Sequence, residues 1–207
     1  MRKALLIPLC WAALAACGDS AATPDTADAT SADGATDATA ASDATDVADE
    51  VDADPYVIAP AGRITVTDLE GGAKRARIDA TADDMWVQFA LSGGGSQVTA
   101  ATGWDLAFRR IEILSARPVA ALDVAFDQVS QAPAEGYVED NAEESAFTQL
   151  GEWWEYNPSN HTVAAKVKTF FVKVDDATYF KLAVRDYYDD AGSTGLVTLD
   201  WASVAAP

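Results

Sequence analysis

The segment that most constrains how this chain of 207 residues folds is residues 18–54. It holds 12 Ala and 11 Asp or Glu but no Lys or Arg, and its only larger apolar residues are Val47 and Val51. Such a composition cannot bury enough apolar surface to offset the entropy of ordering the chain. We therefore expect a disordered linker here, with residues 55–207 as the folded domain.

The formal charge of −19 divides between these two parts once the +2 from Arg2 and Lys3 is set aside. Eleven of the acidic side chains belong to the linker, and residues 55–207 carry 22 acidic and 12 basic side chains, a net charge of −10. That value is ordinary for the surface of a soluble domain. Free nucleic acid is not an expected partner, because its phosphates are bound by basic surfaces.

The chain begins with the features of a secretory signal. Two basic residues precede an apolar run of 11 residues at positions 4–14, whereas a membrane-spanning helix needs about 20. Residues 14–17, Leu-Ala-Ala-Cys, resemble the lipobox of bacterial lipoproteins. The resemblance implies that residues 1–16 are a signal peptide and that Cys17 is lipidated; an ordinary signal with a chance cysteine is the alternative.

Lipidation at Cys17 implies a membrane contact that is covalent and terminal. The residue after the cysteine is Gly18 and not Asp, which in enterobacterial sorting permits transfer to the outer membrane. We expect an anchored protein on the periplasmic or outer side of that membrane, with residues 17–54 as anchor and tether. Cys10 leaves with the signal, so the mature domain has no thiol for a disulfide, a zinc site or nucleophilic catalysis.

From residue 62 onward, short segments rich in β-branched and aromatic residues recur between turn signals. No stretch sustains an apolar period of 3.6, so we predict a single, mostly antiparallel all-β domain with at most a short helix, at residues 142–150. The predicted strands are residues 63–69, 75–80, 85–91, 104–114, 119–126, 163–174, 178–186 and 196–202.

Three of these segments carry finer predictions. Residues 175–177 are short enough to join their flanking strands in a hairpin. Residues 178–186 alternate, which predicts one core face and one solvent face. In residues 104–114 the apolar positions change parity at Arg109 and Arg110, which predicts a bulge or a strand that passes between two sheets.

Several motifs, taken in order, resemble those of HmuY-like lipoproteins. They are residues 103–110 (Gly-Trp-Asp-Leu-Ala-Phe-Arg-Arg), 132–137, 154–158 with His161, 170–173, 179–188, 192–195 and the final strand to Trp201. The similarity extends over about residues 86–204. It implies a one-domain all-β fold, anchoring at the outer membrane and the capture of haem for iron acquisition. The chain departs from the family at residues 115–118. Family members usually have a glycine-rich stretch after the double-Arg strand, whereas here the connection is shorter, and the shorter loop would remove part of a ligand site.

The residues that can ligate haem iron are few. Proteins use His, Met, Cys or Tyr for this purpose, and the mature chain has one histidine, His161, and one methionine, Met85. A site with two histidines from one chain is therefore excluded. The options left are His161 alone, His161 with Met85, ligation by Tyr, or a site shared between two copies.

Other side chains would complete a haem site. Trp153, Trp154 and Tyr156 precede His161 closely and would sandwich a porphyrin. Arg109 and Arg110 would pair with its propionates. Each set also has a plainer interpretation. His161 would be a turn residue, and Met85 and one of the two tryptophans would pack in the core. Arg109 and Arg110 would be solvent-facing strand residues or structural partners of Asp105 and Glu112.

The sequence thus predicts a non-enzymatic binding lipoprotein whose ligand is haem and whose partner is haem or a haem-carrying protein. The alternative is an interaction or structural domain that binds no haem and contacts an envelope protein or glycan. An enzyme is least supported, since neither a Gly-x-Ser-x-Gly nor a His-Glu-x-x-His pattern occurs.

Overall fold

The computed structural model describes residues 57–207, and these form two packed antiparallel sheets with a small hairpin beside them. The predicted signal peptide, Cys17 and the whole of the predicted linker lie outside the described residues. The strands are β1 (Ile64–Asp68), β2 (Lys74–Asp79), β3 (Val87–Ala90), β4 (Ser96–Val98), β5 (Leu106–Arg109), β6 (Glu112–Ser115), β7 (Val119–Leu122), β8 (Trp154–Asn157), β9 (Thr162–Ala165), β10 (Thr169–Lys173), β11 (Tyr179–Tyr188) and β12 (Thr194–Val204).

The larger sheet has six strands in the order β1-β2-β12-β11-β10-β7, and every neighbouring pair is antiparallel. The second sheet has the order β4-β3-β5-β6, also antiparallel. Strands β8 and β9 pair only with each other in a two-stranded sheet. The predicted all-β, mostly antiparallel fold is therefore confirmed.

The main core lies between the two larger sheets. Alternate residues of each strand point inward, as the two-residue period of a strand requires, and they pack in one cluster. Phe89 of β3 meets Trp201 of β12 edge-on, with ring centroids 5.1 Å apart. This contact fixes the two sheets against each other, since a buried aromatic pair contributes about 1 kcal/mol beyond its burial.

Two local predictions are confirmed. Residues 175–177 connect β10 to β11 in an antiparallel hairpin, and the Asp175 carboxylate accepts hydrogen bonds from the backbone N–H groups of Ala177 and Thr178, both at 2.8 Å. The short helix is α1 (Ala146–Gln149), whose N-cap Ser145 accepts a hydrogen bond from the Thr148 N–H. Within residues 57–207, no helix combines the length and apolarity needed to cross a bilayer.

The prediction for residues 104–114 was wrong. The segment is not one bulged or crossing strand but two, β5 and β6, joined by a tight turn that pairs Arg109 with Glu112. Arg110 takes a left-handed backbone conformation, φ 53°, and the chain reverses there. The change of parity in the apolar positions reflects this reversal, because both strands present their apolar side chains to the same core.

Residues 163–174 also form two strands instead of one. β9 and β10 belong to different sheets, and the break between them holds Lys166, whose N–H donates to the carbonyl of Trp153 at 2.8 Å. The predicted solvent face of residues 178–186 is only partly exposed. Leu182 and Val184 do face the core, but Tyr179 on the opposite face is buried with Phe171 in a second, smaller apolar cluster.

Candidate functional site

The hairpin formed by β8 and β9 presents the only histidine of the chain at its tip. Two asparagines shape the turn: Asn157 accepts a hydrogen bond from the Ser159 N–H at 2.9 Å, and Asn160 accepts from the Thr162 N–H at 3.2 Å. Between these contacts His161 is held in the left-handed region, φ 58°. A non-glycine residue rarely adopts this conformation, so the turn fixes where the imidazole lies.

His161 and Tyr156 form one unit. The phenolic hydroxyl of Tyr156 hydrogen-bonds to Nδ1 of the imidazole, and the ring centroids lie 6.1 Å apart. Both side chains are exposed. In the tautomer in which the Nδ1–H group donates to this hydroxyl, Nε2 is the nitrogen left to bind a ligand, the arrangement in which proteins orient histidines that coordinate metals.

Trp154 continues this surface toward the domain. It shares a face of β8 with Tyr156, since residues two apart in a strand point the same way. Trp154 is half-buried against the main core, whereas Tyr156 remains 49% exposed. The hairpin therefore carries an aromatic face that begins at Trp154 and ends at His161, which we call the hairpin face.

Trp153 points the other way, into the core. It is 2% exposed, and its indole N–H donates to the carbonyl of Ile111 at 3.0 Å. This contact ties the start of the hairpin to the turn between β5 and β6. Of the two adjacent tryptophans, one is thus a core residue and the other half-exposed.

A cavity of about 410 Å³ lies beside the two tryptophans. It falls within the range of roughly 300–1,000 Å³ that is typical of small-molecule sites. Its walls combine apolar and acidic side chains, and no basic residue contributes: Ile111, Glu112, Ile113, Leu114, Glu143, Glu144, Ser145, Phe147, Thr148, Glu152, Trp153 and Trp154. Glu112 is paired with Arg109, and the other three glutamates make the cavity unfavourable for an anionic group.

The two arginines predicted to bind propionates each contact other residues of the described chain. Arg109 pairs with Glu112 at 2.7 Å, and its guanidinium lies 4.4 Å from the ring centroid of Trp86. Arg110 donates to the carbonyl of Thr81 at 2.8 Å and to Oγ1 of Thr194 at 3.3 Å. These contacts join each arginine to a neighbouring part of the domain. Neither arginine touches His161 or Tyr156 in the part of the chain that the structure describes.

Met85 lies just before β3 and packs against the main core. Among the described residues, no contact or shared cavity joins Met85 to His161. The structure thus brings together Tyr156, Trp154 and His161 on the hairpin face, and Trp153 and Trp154 at the cavity. Residues 57–207 contain no group of three or more His, Cys, Asp or Glu arranged to hold a metal ion.

The sequence analysis offered Asp105 as a structural partner of Arg109 or Arg110, but its partner in the structure is Arg117. This carboxylate is 3% exposed, and it accepts hydrogen bonds from Nε of Arg117 and from the N–H of Leu91, both at 2.9 Å. It therefore joins β5 to the end of β3 and to the crossing at residues 115–118. Its position next to Trp104 in a strand rich in apolar residues was the available signal, because an acid there needs a partner.

Comparison with known proteins gives concordant results. The family model for HmuY protein matches residues 82–201. The fold is similar to that of a protein from Bacteroides vulgatus described as HmuY-like and heme-binding, with 20% identity, a TM-score of 0.51, and coverage of 67% of this chain and 95% of the other.

The apo HmuY analog of Tannerella forsythia gives similar values: 19% identity, a TM-score of 0.52, and coverage of 66% and 95%. A Bacteroides fragilis protein described as a lipoprotein gives 18% identity, a TM-score of 0.50, and coverage of 66% and 93%. No curated protein matches the chain in sequence.

Proposed function

The chain belongs to the HmuY family, and on that premise we propose that it is a lipid-anchored outer-membrane protein that captures haem through His161. At 18–20% identity, the similar structures support the fold of this chain and not its ligand. The proposal for haem therefore depends on this chain's own residues. It describes a binding protein, not an enzyme.

The observation that carries the proposal is the hydrogen bond between Tyr156 and His161. When the hydroxyl accepts from the Nδ1–H group, it fixes the tautomer in which Nε2 has a free lone pair. A neutral imidazole in that state is a ligand for haem iron. The Trp154 and Tyr156 rings on the same face of β8 offer an apolar surface for one side of a porphyrin.

The charges of the described residues orient such a ligand. The glutamates of the 410 Å³ cavity repel carboxylates, so the propionates would point away from the cavity and toward solvent. Because His161 is the only histidine of the chain, any further ligand of the iron would come from water or from a group of a partner. Such partial ligation would suit transfer of haem to or from a haem-carrying protein.

Anchoring is the second part of the proposal. Acylation of Cys17 attaches the protein to the outer membrane, and residues 18–54 hold the domain away from it on the periplasmic or the outer side. Several acyl chains on one residue anchor a protein stably, whereas one chain binds weakly, at about 10⁴ M⁻¹. Mass spectrometry of the mature protein should find a diacylglyceryl group on Cys17; an unmodified thiol would contradict the anchor.

A second candidate function, an interaction domain for an envelope protein or glycan, is favoured by the cavity lining. Glu143, Glu144 and Glu152, beside the half-buried Trp154, suit a partner with basic groups better than they suit haem. This function predicts that a lysine-rich peptide changes the tryptophan fluorescence of the protein. Replacement of Glu143 and Glu144 by Gln should abolish that change, whereas a change that persists would contradict this candidate.

Haem binding is tested by titrating haem into the full chain in non-ionic detergent and following the Soret band. The proposal expects a saturable shift with one haem per chain. The Met85→Leu variant separates the ligand options, because a site made by His161 alone keeps its spectrum when Met85 is replaced. Absence of a saturable shift in the native protein would overturn the haem proposal and leave the fold and family membership untouched.

A further inference from the structure

Three arginines gather on the outer face of the six-stranded sheet, the face opposite the main core. Arg75 and Arg77 come from β2, and Arg185 comes from β11. The register of β2 with β12 places Arg75 opposite Asp200 and Arg77 opposite Thr198. This group is notable because residues 55–207 carry a net charge of −10 and only 12 basic side chains.

A buried carboxylate holds two of the guanidinium groups in place. Asp200 is 4% exposed and accepts hydrogen bonds from Nε and Nη2 of Arg75, at 2.6 and 2.9 Å, and from Nε of Arg185 at 2.9 Å. The hydrogen bond to Asp200 raises the pKa of Arg75, so its charge is permanent. Three charge-assisted bonds compensate the desolvation of the carboxylate and leave both guanidinium planes fixed.

Several donors of these arginines remain without an acceptor among residues 57–207. They are Nη1 of Arg75 and both Nη groups of Arg185, although the Arg185 guanidinium also lies 5.4 Å from the ring centroid of Phe126. Arg77 makes a long ion pair with the Asp190 carboxylate, at 3.9 Å. These groups line a concavity of about 270 Å³ together with Asp186, Tyr188, Asp190 and Thr198. The Tyr188 hydroxyl already accepts a hydrogen bond from the Val163 N–H at 2.8 Å, so the concavity offers a ligand mainly the N–H donors of Arg75 and Arg185 and the charge of Arg77.

The acids nearby do not satisfy these donors. Asp186 directs Oδ1 to the backbone N–H groups of Tyr187 and Tyr188, at 2.7 and 3.1 Å. The Asp190 side chain is 98% exposed, and an ion pair at that exposure contributes little. If these arginines only held the sheet together, the hydrogen bonds of Arg75 and Arg185 to Asp200 would be enough, and Arg77 would not be needed.

We propose that this surface, which we call the arginine site, binds the phosphate or carboxylate group of a ligand. Guanidinium forks match both groups with paired hydrogen bonds. Asp200 serves as the positioning residue, since it fixes two forks and touches no ligand itself. His161 does not line this site, and the proposal does not depend on haem.

The test measures binding of inorganic phosphate and of citrate to the full chain by calorimetry at low ionic strength, without haem. Lipid phosphate is distinguished by comparing vesicles that contain phosphatidylglycerol with vesicles of phosphatidylcholine alone. Arg77→Gln is the informative variant because Arg77 does not contact the buried Asp200. Arg63→Gln is the matched control, since it also removes one guanidinium that pairs with a single aspartate, Asp79, at 3.2 Å.

We expect saturable binding of at least one of these three probes, with affinity about tenfold weaker in Arg77→Gln, the effect of losing one charge-assisted hydrogen bond. Arg63→Gln should bind as the native protein does. Binding to the phosphatidylglycerol vesicles alone would assign the site to a lipid headgroup. The proposal is overturned if no probe binds saturably, or if the two variants weaken binding equally, because net charge would then explain the result. Either failure leaves the haem proposal unaffected.

Discussion

Tyr156 and His161, five residues apart, are joined across the β8–β9 turn by a hydrogen bond between the phenolic hydroxyl and Nδ1. The turn that makes this contact is itself fixed by Asn157 and Asn160. An exposed histidine is therefore oriented before any ligand arrives. This orientation distinguishes it from a freely rotating surface side chain.

Replacement of Tyr156 by Phe should weaken haem binding about 10- to 100-fold, the usual effect of losing a group that orients a metal-ligating histidine. The aromatic ring stays, so the hairpin face keeps its apolar surface. A haem titration of the full chain measures the change. Tyr137→Phe is the matched control because it removes the same hydroxyl far from the hairpin, and equal affinities of the Tyr156→Phe and native proteins would contradict the role given to the hydroxyl.

Gly95 lies where the two sheets meet. Its φ is +86°, and a Cβ atom there would lie 2.4 Å from Cζ2 of Trp201 and 2.8 Å from Cζ of Phe89. We expect Gly95→Ala to lower the free energy of unfolding by about 3 kcal/mol, from overpacking and from backbone strain together.

Gly93→Ala is the control for this effect. Gly93 also has a positive φ, +68°, but a Cβ atom there meets nothing within 4 Å. Only backbone strain applies, at a cost of about 1 kcal/mol. Urea unfolding of both variants measures the difference, and equal losses would show that the contact with Trp201 and Phe89 is not tight.

The hydroxyl of Tyr137 is buried without a hydrogen-bond partner among residues 57–207. Its burial, together with the nearby Tyr179, raises the pKa of Tyr137 to about 12. Removing an unsatisfied buried polar group stabilises a protein, so Tyr137→Phe should raise the free energy of unfolding by about 1 kcal/mol at neutral pH.

The same group predicts a dependence on alkaline pH. The pKa of Tyr137 is 10.0 in the unfolded chain and about 12 in the folded protein. Between pH 10 and about pH 12, the unfolded chain therefore loses the Tyr137 proton while the folded protein keeps it. The native state then binds more protons, so its stability falls as the pH rises through this window. Urea unfolding at a series of pH values should show the advantage of Tyr137→Phe growing above pH 10; a constant difference would contradict the raised pKa.

Turns and caps that depend on residues close together in the sequence could be predicted. The turn at Asp175 and the helix capped by Ser145 depend on side chains that bond to their own neighbouring backbone. The turn at Arg110 carries no such signal, because arginine is not a residue that favours positive φ. Its conformation is held by contacts with Thr81 and Thr194, which are 29 and 84 residues away in sequence.

The candidate site divides in the same way. Tyr156 and His161 are close in sequence, which was enough to group them as candidates, but strand β8 and the hairpin that brings their side chains together were not predicted. The acidic cavity draws Glu112, Glu143 and Glu152 from three separate segments, and only the packing of β6 against α1 brings these segments together. The arginine site depends likewise on the register of β2, β12 and β11.

The most direct test of the central claim compares the Soret spectra of haem with the native full chain and with His161→Ala, each with and without free imidazole. Coordination by His161 predicts a saturable shift in the native protein, its loss in His161→Ala, and its return when imidazole occupies the vacated position. Recovery by imidazole would also show that the variant still folds. A native shift that persists unchanged in His161→Ala would contradict the account, because the iron would then be bound without the only histidine of the chain.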